Sequence, residues 1–277
     1  MESYICVTCA VQQSPTGAPP ARCPICEDER QYVRQDGQAW TTLAGLRATG
    51  HRNELRDLEP GLSGVGVSPS LGIGQRALLV QTPSGNVLWD CIGYVDEDAV
   101  EAIRARGGIS GIAMSHPHFY GAVVEWSRAF GGAAIHIPAA DRAWVQYEDS
   151  AIVTWEGTRE VLPGVTLVQC GGHFEGSAVL HWAQGAGGRG ALLVGDTITV
   201  VPDIRFVSFM RSYPNLIPLP PHEIRRIVER VRPYEFDRIY GGWWDRVMPA
   251  GGIKAVERSA SRYLRWVGAD ASARRDD

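Results

Sequence analysis

The segment Met114–Phe130, "MSHPHFYGAVVEWSRAF", joins the end of an apolar strand pattern to a helical pattern through two histidines. His116 and His118 lie two positions apart in the connecting loop, so both imidazoles can approach one metal ion from neighbouring directions. Tyr120 and Gly121, two and three positions after His118, offer one weak ligand and none. The segment therefore predicts a metal site at the end of a buried strand, with fewer ligands than a full site would have.

Short apolar strands and helical patterns alternate along the chain from about residue 39. The predicted strands include "RALLVQT", "NVLWDCIG", "ISGIAMS", "AAIHIP", "VTLVQC", "AVLHWA", "GALLVGD" and "FDRIYGGWWD", and the predicted helices are "DEDAVEAIRARGG", "GAVVEWSRAFGG", "PPHEIRRIVERVRPY" and "GIKAVERSASRYLRWV". The strands fall into two groups, each followed by helices. This order predicts an α+β fold in which two mostly antiparallel sheets pack together with helices outside, an α/β/β/α sandwich. Residues 268–277 are expected to form a frayed tail.

Four of the six cysteines form two C-x-x-C pairs near the N-terminus. They are Cys6, Cys9, Cys23 and Cys26, and a polar connector rich in proline and glycine separates the pairs. Two such turns brought together give tetrahedral sulfur coordination, which suits a structural zinc ion. Iron in a rubredoxin-like site is the main alternative, followed by a redox dithiol. We therefore expect residues 1–38 to form a small four-cysteine zinc ribbon and residues 39–277 to form the large domain.

Composition and charge limit the classes of partner. The net charge is −4 and no basic run is long enough for a nucleic-acid footprint. No apolar stretch approaches the roughly 20 residues that span a bilayer, and the N-terminus lacks the features of a secretory signal. We expect a cytoplasmic protein that acts on a small molecule, without nucleic-acid or membrane partners; a homodimer stays open.

Further candidate ligands follow two other predicted strands. His173 comes after "LVQCGG" and Asp196 comes after "ALLVG". Together with the histidine pair they would supply three imidazoles and one carboxylate, a set that suits zinc or iron.

These segments resemble the motifs of the metallo-β-lactamase superfamily. Its pattern is H-x-H-x-D-H, then Gly-His, then Gly-Asp, then a final histidine, and the corresponding segments here are "SHPHFYG" (115–121), "GGHFEGS" (171–177) and "LLVGDTI" (192–198). The segment "NVLWDCIG" is similar to the family strand ending in Asp-Thr-Gly, which would place Asp90 beneath the site as an orienting residue. The match runs in order from about Leu62 to Trp244, and implies the superfamily fold.

The departures from that pattern concern one metal position only. Tyr120 and Gly121 stand where the family has Asp and His, and "WWDRV" (243–247) stands where its final His is expected. The ligands specific to the second metal are therefore absent or replaced, and the resemblance implies a mononuclear site holding one zinc or iron ion.

The resemblance also implies hydrolysis of an ester, thioester, lactone or amide by a metal-activated water. Asp196 would serve the reaction as well as the metal, and Tyr120 could orient the water or stabilise an oxyanion; otherwise Tyr120 fills the empty second position. Glu175 is a weaker candidate. Trp243 and Trp244 would fill the space of the final histidine or form an apolar wall for the substrate.

Two other functions stay open at this point. One is a mononuclear non-haem iron oxygenase or redox enzyme on the same fold, and the other is a non-catalytic zinc-binding interaction module. The apolar, proline-rich segment 199–221, "TVVPDIRFVSFMRSYPNLIPLPP", is expected to lie over the metal as a lid or pocket wall.

Overall fold

A computed structural model of the protein describes residues 1–269; most of the predicted frayed tail, residues 270–277, lies outside the described residues. The strands are β1 (Ile5–Cys6), β2 (Trp40–Thr41), β3 (Arg52–Glu59), β4 (Leu62–Ser68), β5 (Ala77–Thr82), β6 (Gly85–Trp89), β7 (Gly111–Ala113), β8 (Ala134–Pro138), β9 (Ile152–Trp155), β10 (Thr158–Leu162), β11 (Val165–Gln169), β12 (Ala178–Trp182), β13 (Ala191–Leu193), β14 (Thr199–Val200), β15 (Val207–Ser208), β16 (Met210–Ser212), β17 (Ile217–Pro218), β18 (Arg238–Tyr240) and β19 (Val247–Met248). The helices are α1 (Pro24–Glu27), α2 (Leu43–Ala48), α3 (Glu97–Arg104), α4 (Val123–Ala129), α5 (Gly185–Gly188), α6 (Pro221–Val231) and α7 (Gly252–Trp266), with 3₁₀ helices at Pro117–Phe119 and Ala139–Trp144.

The first large sheet has seven strands in the order β3-β4-β5-β6-β7-β8-β9. Its pairings are antiparallel from β3 to β6 and parallel from β6 to β9. Parallel neighbours need a crossover, which α3 provides between β6 and β7 and α4 provides between β7 and β8. Helix α3 begins after Asp96, whose carboxylate accepts a hydrogen bond from the Ala99 amide at 2.8 Å, so Asp96 is its N-cap.

The second large sheet has six strands in the order β10-β11-β12-β13-β18-β19, and only the β13–β18 pairing is parallel. Helices α6 and α7 cover its outer face. The apolar face predicted for α6 is confirmed: its buried residues are Ile224, Ile227, Val228 and Val231.

Alternate residues of the central strands face opposite layers, as the pleat of a strand requires. On β5, Leu78 and Val80 pack between the sheets together with Leu180 and Leu193 of the second sheet. Leu79 faces the other way, into the core beneath the helices of the first sheet. Two sheets therefore pack face to face with helices outside, which confirms the predicted α/β/β/α sandwich.

The N-terminal segment, residues 1–38, packs against this sandwich as a small unit around the four cysteines and is called the four-cysteine segment below. Its strand β1 pairs with β2, with Cys6 opposite Trp40. The predicted boundary between residues 38 and 39 stays a prediction. Segment 199–221, expected only as a lid or wall, contains two small hairpins, β14-β15 and β16-β17. None of the described helices has the length and apolar character needed to cross a bilayer.

Candidate metal centre

Four side chains predicted as ligands meet at one edge of the sandwich. His116 and His118 follow β7 at the start of the 3₁₀ helix, His173 follows β11, and Asp196 follows β13. One ligand atom from each lies within 4.8 Å of those of the other three. All four residues are buried, each no more than 4% exposed.

The separations between the ligand atoms suit one small cation. His173 Nε2 lies 3.2 Å from His118 Nδ1. Asp196 Oδ2 lies 3.4 Å from His116 Nε2 and 3.8 Å from His173 Nε2. Ligands held tetrahedrally at 2.0–2.1 Å from zinc would be about 3.3 Å apart. His116 Nε2, which faces Asp196 Oδ2, has no hydrogen-bond partner within residues 1–269, as expected of a ligand atom.

Neighbouring polar groups fix the orientation of the imidazoles. Ser115 Oγ lies 2.8 Å from His116 Nδ1, and the Met210 carbonyl oxygen lies 3.2 Å from His173 Nδ1. If both rings bind a cation through Nε2, each Nδ1 carries the proton and donates to its neighbouring oxygen. Asp90, predicted beneath the site, accepts a hydrogen bond from the Ser115 amide at 2.7 Å. Asp90 thus supports the loop that carries His116, and burial raises its pKa to about 7.

The protonation states of these residues are those that bind metals. Burial lowers the pKa of His118 well below its usual range and that of His173 to about 3, because a charged imidazolium loses its hydration there. Burial alone would raise the pKa of Asp196, but the interaction of its carboxylate with the nearby imidazoles of His116 and His173 outweighs burial and lowers the pKa. The neutral imidazoles of His118 and His173 and the ionised carboxylate of Asp196 therefore face one another before any cation arrives.

The four N-terminal cysteines form a second group of potential ligands. Cys6 Sγ lies 3.5 Å from Cys26 Sγ, and Cys9 Sγ lies 3.7 Å from Cys23 Sγ. Thiolates about 2.3 Å from a tetrahedral zinc would be about 3.8 Å apart. All four are free thiols and at most 1% exposed, and Gln38 Nε2 donates to Cys6 Sγ at 3.2 Å. The predicted cluster of four cysteines is confirmed, and its donor set fits a structural metal ion.

Comparison with known proteins agrees with this geometry. The sequence model of the Metallo-beta-lactamase superfamily matches residues 72–243, more than half of the chain. The chain belongs to the metallo-β-lactamase superfamily. This confirms the resemblance inferred from the strand-end motifs.

One relative of this superfamily member is "Uncharacterized protein YmaE" of Bacillus subtilis (strain 168), which is 46% identical over 267 residues and matches 96% of this chain and 97% of the relative. Solved structures with the same fold include VMB-1 and the DIM-1 metallo-beta-lactamase. Each has a TM-score of 0.58 and 15% identity; they match 78% and 76% of this chain and 99% and 96% of their own. At this identity the likeness shows the fold alone.

Gly121 stands where the superfamily motif has its last histidine, and the backbone there leaves no room for a side chain. Gly121 has a φ of +51°, and a Cβ there would lie 2.6 Å from the carbonyl carbon and oxygen of Ile92. The Tyr120 hydroxyl donates to the Asp141 carbonyl at 3.5 Å. The ring of Phe119 lies 4.3 Å from the ring of His116. Apolar and aromatic groups therefore surround this side of His116.

The two tryptophans that replace the final histidine take different places. Trp243 donates from its indole nitrogen to the Ile73 carbonyl at 3.1 Å, and its ring lies 5.8 Å from Phe119. Trp244 lies over Gly64, where a Cβ would come within 2.5 Å of its ring. Trp243 is thus near the metal centre, whereas Trp244 fills space at the edge of the inter-sheet layer. Their predicted roles toward a substrate stay predictions.

Arg30, which belongs to no sequence motif, reaches from the four-cysteine segment to the metal centre. Its guanidinium carbon lies 4.1 Å from the ring centre of Phe174, whose ring lies 4.9 Å from that of His118. Its Nη2 pairs with Glu175 Oε1 at 3.2 Å, and its Nη1 pairs with Asp28 at 3.2 Å. Glu175, a weak catalytic candidate, thus engages an ion pair that connects the N-terminal segment to the loop carrying His173.

Segment 199–221 completes the cover over the centre. The Tyr213 hydroxyl donates to the Asp196 carbonyl at 3.1 Å, and Ser212 Oγ donates to the Arg30 carbonyl at 3.1 Å. The segment predicted as a lid or wall therefore contacts both the ligand loops and the four-cysteine segment. The four potential ligands are buried beneath this cover.

Asp141 is a further buried carboxyl group at this edge that sequence reasoning missed. It follows β8, which is parallel to β7 and ends at the same edge of the sheet. Its Oδ1 accepts from the Gly176 amide at 2.8 Å, and its Oδ2 has no partner among the described residues. Burial raises its pKa to about 6. The signal that could have found it was its position just after a strand parallel to the histidine strand.

Proposed function

We propose that the protein is a metal-dependent hydrolase that cleaves an ester, thioester, lactone or amide at the His116/His118/His173/Asp196 centre. The observation that carries this proposal is the convergence of these four buried ligand atoms within 4.8 Å. A zinc or iron ion bound there would supply Lewis acidity and lower the pKa of a bound water. Most members of the superfamily are hydrolases, which supports the same class.

We further propose that the centre holds one ion. Gly121 cannot be replaced by a ligand without a clash with Ile92, and the Phe119 ring lies beside His116. These contacts support a mononuclear site because the positions that would bind a second ion offer only the Tyr120 hydroxyl, which donates to the Asp141 carbonyl. Three nitrogens and one oxygen suit zinc and iron alike, so elemental analysis decides which one is bound.

Asp141 and Tyr120 would assist the reaction in different ways. With a pKa near 6, the Asp141 carboxyl is mostly ionised at neutral pH and can accept a proton. Burial raises the pKa of Tyr120 well above its usual value, so its hydroxyl stays protonated and can only donate a hydrogen bond. If Tyr120 donates to a developing oxyanion, Tyr120→Phe should lower kcat by about 100- to 1,000-fold. An unchanged kcat would mean that Tyr120 only fills the second position.

A hydrolysis screen tests the proposed class. Purified protein is assayed on p-nitrophenyl esters, acyl thioesters, lactones and anilides, with His118→Ala as the inactive variant. His222→Ala is the matched control, because the His222 side chain is 76% exposed and lies outside the centre. We expect hydrolysis by the wild type and the control but not by His118→Ala. Equal activity of all three, or O₂-dependent turnover alone, would contradict the proposal.

The cellular setting is also a proposal. Six free cysteines within the described residues suit a reducing compartment, which supports a cytoplasmic location. A small-molecule substrate fits a centre that is buried beneath segment 199–221. A homodimer stays a prediction.

A further inference from the structure

Arg76 lies at the edge of the sandwich that carries the metal centre. It immediately precedes β5, and since Leu78 and Val80 face the inter-sheet layer, Arg76 enters the end of the same layer. Strand β5 pairs with β6 so that Leu78 is opposite Trp89. Arg76 therefore lies beside the first residues after β6, where Asp90 supports the histidine loop.

The guanidinium of Arg76 is buried without a full set of partners. The residue is 1% exposed, and its Nη2 donates to the Gly241 carbonyl at 3.3 Å. Its Nε and Nη1 have no hydrogen-bond partner in the described part of the chain. Burial lowers its pKa to about 10, so it is still charged at neutral pH. A buried, unpaired cation is costly, and proteins keep one where it has a counter-charge to bind.

No acidic side chain within residues 1–269 satisfies this charge. Asp245, the acid whose charge acts on Arg76, has a side chain that is 73% exposed and lies 3.6 Å from Arg246. The Arg76 guanidinium carbon lies 5.3 Å from the centre of the Trp244 ring, and that of Arg56 lies 4.2 Å from the same ring. Two guanidinium groups thus lie over one tryptophan; that of Arg56 is paired with Glu54 at 2.7 Å, whereas that of Arg76 has no such pair.

This corner is connected to the metal centre through close contacts. The Arg76 amide donates to the Gly242 carbonyl at 2.7 Å. A Cβ at Gly242 would lie 2.8 Å from the ring of Phe119, which is the ring that packs on His116. An acyl group held at the centre could therefore extend past Phe119 toward Arg76, once the partly exposed Trp243 and Trp244 move aside.

We propose that Arg76 binds an anionic group of the substrate, a carboxylate or phosphate, and so determines specificity. A guanidinium presents its N–H donors in planar pairs that match such oxyanions. Nη2 of Arg76 donates one hydrogen to Gly241, and its other hydrogen lies beside one of the free donors, Nε or Nη1. The role toward a substrate rests on the proposed hydrolase function; the oxyanion site itself does not.

Anion binding by the full-length protein tests the site without turnover. Succinate and inorganic phosphate are titrated separately by calorimetry into the wild type, Arg76→Met and Arg104→Met. Arg104 is the matched control because its guanidinium also lies near an aromatic ring, that of Phe130 at 5.9 Å, on helix α3. We expect saturable binding of at least one anion, weakened tenfold or more in Arg76→Met only. The anion that binds identifies the oxyanion. Equal binding by wild type and Arg76→Met, or no saturable binding of either anion to wild type, would overturn the proposal.

Thermal stability distinguishes this role from a structural one. Without anion, Arg76→Met removes an unpaired buried charge, so its melting temperature should equal or exceed that of the wild type. A lowered melting temperature would indicate that Arg76 serves the fold, and would count against the proposal. Arg76→Lys, which keeps the charge but loses the fork, is the second variant and should bind the anion more weakly than the wild type.

A pair of esters then connects the site to catalysis. The ratio of kcat/KM for mono-p-nitrophenyl succinate to that for p-nitrophenyl acetate should fall at least tenfold in Arg76→Met and stay constant in Arg104→Met. An unchanged ratio would contradict a specificity role. If neither ester is hydrolysed by any variant, the proposed hydrolysis of these esters fails, whereas the anion titration still decides the oxyanion site.

Discussion

Nε2 of His173 lies 3.2 Å from Nδ1 of His118, although 55 residues separate them in the sequence. His118 follows a strand of the first sheet and His173 follows a strand of the second. Two imidazole nitrogens at this distance in a buried place are either connected by one proton or held by one cation. A cation held by both imidazoles would connect the two sheets at their common edge, so metal binding should stabilise the sandwich.

Gly121 should tolerate no side chain. Its φ is +51° and a Cβ would meet the Ile92 backbone at 2.6 Å, so Gly121→Ala combines backbone strain with a clash that cannot relax easily. We expect a loss of more than about 3 kcal/mol in unfolding free energy, measured by urea denaturation. Gly131→Ala is the control, since Gly131 has a φ of +76° but nothing within 4 Å of its Cβ, and it should lose only about 1 kcal/mol. Similar losses in both variants would refute the close packing.

His136 should make the fold sensitive to acid. Burial, followed by the charge of Arg159, lowers its pKa to about 4, whereas the unfolded imidazole takes up a proton near pH 6.5. The unfolded state thus binds more protons between these values, so stability is present above pH 6.5 and is lost as the pH falls toward 4. Between pH 7 and pH 4.5, His136→Gln should lose less unfolding free energy than the wild type, by up to about 2 kcal/mol, measured by denaturation at both pH values. The exposed His222→Gln serves as control, and a wild-type pH dependence in His136→Gln would refute this cause.

The group of four cysteines should hold its own metal ion and support the fold. Cys26→Ser removes one of four thiolates from a buried site, so the variant should lose about one ion per chain and several kcal/mol of stability. Because Arg30 follows this site and lies over the metal centre, a chelator should also extract the second ion faster from this variant. Cys170→Ser, at a buried cysteine outside both groups, should keep the wild-type metal content. Wild-type metal content in Cys26→Ser would contradict a structural metal site.

Local sequence order and the family motifs together predicted the layered fold and the four potential ligands that converge in the structure. Each of the four potential ligands follows an apolar strand: His116, His118, His173 and Asp196. The ends of strands at one edge of a sandwich lie close together. The apolar face of helix α6 was likewise visible because its burial follows the helical period.

Side chains that act across long sequence separations could not be predicted in this way. Arg30 contacts Glu175 across a sequence separation of 145 residues, and Arg76 contacts Gly241 across a separation of 165 residues. Neither arginine belongs to a motif, and each would be read from the sequence as an ordinary surface charge. Their burial depends on how the four-cysteine segment and the last strands fold onto the sandwich, which no local pattern records.

Metal content measured by elemental analysis tests the central claim most directly. Wild type and His222→Ala, purified without chelators, should contain two ions per chain, one at the cysteines and one at the histidines. His116→Ala should contain one, because it removes a ligand whose Nε2 lies 3.4 Å from Asp196. Equal metal content in His116→Ala and the wild type, or three ions in the wild type, would contradict a single metal ion held by these four residues.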